Sequence, residues 1–134
     1  RAQILVGEAA TLDALRERWA AALGSGPRVS GEELALRRYV ITDLLDDLRD
    51  ATDPLEQTVI AALLYERVAE LMLLASGHWI GAGKWLPRLL RELDRTRADA
   101  LGDPLIARDH ALFAVAVERE LTWAGGRVQD GFVR

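Results

Sequence analysis

Carboxylates at helical spacing are the residues of this sequence best suited to chemistry. Glu66 and Glu70 stand four apart, with Arg67 between them, inside a strongly apolar stretch. On a helix that spacing stacks the two carboxyls one turn apart. Burial and a second negative charge both raise a carboxyl pKa, which is what a general base near neutrality requires. The competing reading is an internal ion pair with Arg38, Arg67 or Arg88, because buried carboxylates are costly unless paired. Asp43, Asp46, Asp47 and Asp50 recur at spacings of three and four. They are read either as a solvated helix face or as the acidic wall of a cleft for a cationic ligand. Tyr39 and Tyr65 either line that cleft or sit at the edge of the core. Lys84 is the one lysine among 17 cations and lies beside Trp85 in the glycine-rich run from Gly77. It either meets a phosphate or a substrate hydroxyl, or stays solvated at a helix end while Trp79 and Trp85 pin the loop. His78 is read as a loop donor or a catalytic group, and His110 as structural.

Composition limits what these groups can do. The chain has 134 residues, 50% of them hydrophobic, enough for one domain with a real core. Charged residues make up 28%, and the net charge of −4 disfavours general nucleic-acid binding, which needs clustered cations. With no Cys and two His, no metal site is expected. P-loop, dinucleotide-binding and serine-elbow motifs are absent, and so is any Asp-x-Asp pair. The longest apolar run, Val59 to Tyr65, is too short to span a membrane. The amino-terminal residues lack the cationic-then-apolar order of a signal peptide, which together with the missing cysteines predicts a cytoplasmic protein.

An all-α fold must position these groups. Gln3 to Val6 reads as a short strand, and Leu12, Leu15, Trp19, Ala22 and Leu23 as an amphipathic helix that stops at Gly24-Ser25-Gly26-Pro27. Residues 1–28 are therefore expected to be a strand, helix and linker left from a preceding domain, and 29–134 a helical bundle. Ser30 with Glu33 is a capping box opening a helix to about Asp50. Asp53-Pro54 starts a second helix, apolar enough to Ala75 to be central in the bundle. A short helix is expected through Leu93, another from Asp94 to Leu101, and a last one from Asp103-Pro104 to Trp123, before Gly125-Gly126. The tail from Arg127 is expected to dock loosely. Short connections predict an antiparallel bundle of four to five main helices.

Three stretches in this order carry a resemblance: LRRYVITDLLDDL from Leu36, AALLYERVAELMLLASGHW from Ala61, and GAGKWLPRLLRELD from Gly81. They resemble the helical carboxy-terminal domain of bacterial nucleotidyltransferases, the group that includes kanamycin nucleotidyltransferases and related HEPN-type substrate-binding proteins. The resemblance covers Leu34 to Asp94 and the final helix loosely, and rests on Gly77-x-Trp79 and Lys84-Trp85-Leu86-Pro87. It implies a substrate-facing helical wall with a glutamate base near the Gly-x-Trp turn, for which Glu70 is the candidate and Glu66 a turn further away. Leu73 and Leu74 occupy the positions nearest the turn, a departure from the family pattern. The family's catalytic metals are held by a Gly-Ser motif followed by Asp-x-Asp; Gly24-Ser25 has no such sequel. Nucleoside triphosphate and Mg²⁺ are thus expected only with a separate catalytic domain, in cis or in trans. HEPN ribonucleases need an Arg four to six residues before a His, which neither His78 nor His110 has.

The resulting expectation is a helical substrate-binding domain of a nucleotidyltransferase-like protein without its metal-binding core. Glu70 is the expected base, Tyr39, Asp43, Glu66, Lys84 and Trp85 the substrate contacts, and a small cationic or polyhydroxylated molecule the acceptor. The alternative is a non-catalytic helical interaction module that forms a homodimer or pairs with a separate minimal nucleotidyltransferase.

Overall fold

The computed structural model describes residues 29–128, which form five helices. The strand and helix expected before Val29 lie outside the described residues. Helix α1, Gly31–Asp50, opens where the Ser30 hydroxyl accepts the Glu33 amide at 3.0 Å. Glu33 does not complete a reciprocal capping box; its carboxylate turns to Arg37, 3.2 Å away. Helix α2, Pro54–Ala75, opens with Asp53 as N-cap, accepting the Glu56 amide at 2.9 Å, and with Pro54 in the first turn. It ends in a Schellman turn: Gly77, at φ 77°, donates to Leu74 O, and His78 to Leu73 O at 2.8 Å.

Helix α3, Trp85–Leu93, follows the glycine-rich loop. Gly81 is needed there, since a Cβ would come within 2.8 Å of the Trp85 Cβ. Asp94 caps helix α4, Arg95–Ile106, through the Arg97 amide at 3.1 Å. The last helix does not start at Asp103-Pro104. Pro104 is buried inside α4, and helix α5, His110–Trp123, is opened by Asp109, which accepts the Leu112 amide at 3.0 Å. The turn between them is made by Arg108 in the left-handed region, at φ 58°. A proline usually starts a helix, but its missing N–H is tolerated in this last turn because burial of the ring offsets the lost bond. Helix α5 closes on a second Schellman turn, with Gly126 donating to Leu121 O at 2.7 Å.

Helix α2 packs against every other helix, as its apolar composition predicts, and α1 packs on α2 and α5. Ile41, Leu45, Leu64, Val68, Leu71, Leu90, Phe113 and Val117 are sealed in the shared core. The first half of α2 is buried on one side only, through Ala61 and Leu64. In its first half Leu55, Val59 and Leu63 are 70%, 59% and 37% exposed, because the helices that bury Leu71 to Leu74 do not cover this face. The segment after α5 is tied down at its start: Val128 N donates to the Thr42 hydroxyl at 3.1 Å, and Arg127 reaches Asp46 at 2.7 Å. The rest of the tail, 129–134, lies outside the described residues.

Candidate functional site

The carboxylates singled out from the sequence lie along the seam between α1 and α2. Glu70 projects from α2 toward α1 and is 17% exposed in its side chain. Its Oε1 accepts from Arg37 at 3.1 Å and from Arg67 at 3.3 Å. Arg37 also holds Glu33, while Glu66, half-exposed, lies 3.8 Å from Arg67. Two arginines thus neutralise the expected base, and Arg37 is a partner that the sequence reading did not name. Asp43 is exposed one helical face away from this network; Tyr39 and Tyr65 are half-buried, Tyr65 at the edge of the core. Burial pushes the Tyr65 phenol above its ordinary value near 10, against a smaller lowering by Arg91.

Lys84 stands at the N-cap of α3, exposed, and makes no capping hydrogen bond with its side chain. Trp85 is 36% exposed, its ring covered by the Arg88 guanidinium at 5.2 Å from the centroid. Trp79 is half-buried, and its indole nitrogen is buried without an acceptor. The structure therefore brings Glu66, Glu70 and their arginines together at one seam. It leaves Lys84 and Trp85 on a separate helix start.

A second polar constellation lies between the ends of α2 and α5. Leu71, Met72, Ala75 and Ser76 form one wall of a cavity of about 360 Å³, and Arg97, Glu120, Trp123 and Ala124 the other. Glu120 is 4% exposed and takes a two-pronged grip from Arg97, whose Nε donates to Oε2 at 3.2 Å and whose Nη2 donates to Oε1. Arg97 also stacks over Trp123, 5.2 Å from the ring centroid. Hydrogen bonding to Glu120 holds the Arg97 guanidinium further above its already high ordinary pKa, against a smaller lowering by burial. The guanidinium therefore stays charged and ties the start of α4 to α5 through Glu120. Sequence reasoning missed it because Glu118-Arg119-Glu120 looks like a solvated run. The signal available was spacing: Phe113, Val117 and Glu120 share one face, so Glu120 had to point inward.

Among the described residues no group of three His, Cys, Asp or Glu side chains is placed to hold a metal ion, and no helix is long and apolar enough to cross a membrane. Comparison adds no relative. The chain matches no protein-family model, no curated protein and no solved structure. Its chemistry therefore rests on two arrangements: carboxylates neutralised by arginine, and apolar side chains left open on α2.

Proposed function

We propose that the chain is a non-catalytic helical module whose work is to hold another protein, such as a separate minimal nucleotidyltransferase. The observation that carries this reading is the state of Glu70. A general base needs a free lone pair facing a substrate, whereas Glu70 accepts from Arg37 across the α1–α2 seam and from Arg67 on its own helix. Its geometry is that of a strut between helices. Exposed leucine and valine side chains on the adjoining surface of α2 are suited to a protein interface. A cytoplasmic setting, expected from the absence of cysteine, belongs to the same proposal.

One observation favours the second reading, a substrate-binding domain of a nucleotidyltransferase-like protein. The cavity beside Arg97, Glu120 and Trp123 is of a size that accepts a small molecule. The two readings separate in titration calorimetry of the 134-residue chain with polyamines and aminocyclitols. The interaction module gives no saturable heat; a saturable heat that Glu120→Gln abolishes moves the conclusion to the second reading.

A further inference from the structure

On α1, Asp43, Asp47 and Asp50 are exposed on the side opposite Ile41, Leu45 and Leu48, which are buried. Asp46, by contrast, turns away to meet Arg127. None of the three exposed aspartates has an ion-pair partner among the described residues. On α2, Leu55, Val59 and Leu63 recur every fourth residue on the side opposite Ala61, Leu64 and Val68, which are buried. α1 and α2 pack side by side, and Glu70, seven residues after Leu63 and so on the same face of α2, meets Arg37 of α1, which sets the apolar stripe on the solvent side of the seam beside α1. The result is a two-helix surface that is acidic along one rail and apolar along the other.

We infer that this surface docks an amphipathic helix of a partner protein, one with lysines or arginines along one edge and leucine-like side chains along the other. This rests on the interaction-module reading and names its partner by chemistry. A helix laid along the pair puts its apolar edge on α2 and its cations over α1. Charge decides against other occupants. A second copy related by a two-fold axis brings this same acidic face against itself, and an anionic membrane is repelled by it. The chain's own Leu12 to Leu23 segment carries Arg16 and Arg18 against Asp13 and Glu17, so it offers no net positive charge to the aspartates.

The test uses the 134-residue chain and a fluorescent synthetic helix of leucine and lysine heptads, with a leucine and glutamate helix as its counterpart. Anisotropy should report binding of the lysine helix alone, weakened about tenfold or more as salt rises from about 50 to about 500 mM. The triple variant Asp43→Asn, Asp47→Asn, Asp50→Asn, and separately the double variant Val59→Ser, Leu63→Ser, should each weaken it about tenfold. Glu92→Gln on α3, also exposed, should leave it unchanged. All these positions are on the surface, and circular dichroism verifies that the variants fold. Equal binding of the two helices, or binding indifferent to both sets of substitutions, overturns the inference. So does tight binding that appears only after deletion of residues 1–28, a dimer that Val59→Ser, Leu63→Ser dissolves, or capture by phosphatidylglycerol vesicles. If the chain co-elutes with a partner from its source cell and the double variant does too, this face is wrong while the interaction-module reading stands. If the chain elutes alone, the interaction-module reading itself fails.

Discussion

At the scale of single residues, the strongest electrostatic element is the Arg97–Glu120 couple, whose carboxylate is 4% exposed. Removing one partner from a buried pair leaves the other charge without compensation and costs about 3–5 kcal/mol. Here Arg97 keeps 28% exposure, so solvent screening places Glu120→Ala at the lower end of that range, readable as a lowered urea midpoint. Arg97 and Glu120 are 23 residues apart on different helices, so their pairing was not legible in the sequence, although the inward direction of Glu120 was. The Glu70 network was half legible: Arg67 follows from its spacing of three, whereas Arg37 meets Glu70 only once α1 folds back on α2. Tyr65 gives a pH signature. Its folded pKa is raised, so its contribution to stability is complete below the unfolded value near 10 and is lost as pH climbs through the higher folded value. Unfolding free energy followed from pH 8 to 12 should decline above about 10, and the decline attributable to Tyr65 should vanish in Tyr65→Phe.

At the scale of elements, the helix starts were written in local chemistry. Ser30, marked by Glu33 three residues on, Asp53, marked by Pro54, and Asp94 each accept an amide three residues on, as N-cap residues do. The boundary between α4 and α5 was misread because Asp103-Pro104 carries the same start signal as Asp53-Pro54. What decides between them is tertiary: Pro104 is buried against the bundle, and Arg108 takes the left-handed conformation that redirects the chain to Asp109. This predicts opposite outcomes for two aspartates. Asp109→Ala should destabilise by about 1 kcal/mol through loss of a cap, while Asp103→Ala at an exposed position inside α4 should stay within about 0.5 kcal/mol. Equal effects in thermal denaturation would contradict the assigned boundary.

At the scale of the whole molecule, helical spacing of apolar residues and short connections foretold an all-helical bundle, and α2 is its hub. Composition could not foretell that one face of the first half of α2 is open, since exposure of Leu55, Val59 and Leu63 depends on where the neighbouring helices lie. The central claim, binding by surface instead of chemistry by Glu70, is tested most directly by expressing tagged full chains in the source cell and measuring their elution mass. The unsubstituted chain and Glu70→Gln should both travel in a complex well above 14.8 kDa, and Val59→Ser, Leu63→Ser should fall to the monomer. A complex that survives the double substitution but is lost with Glu70→Gln would contradict the account.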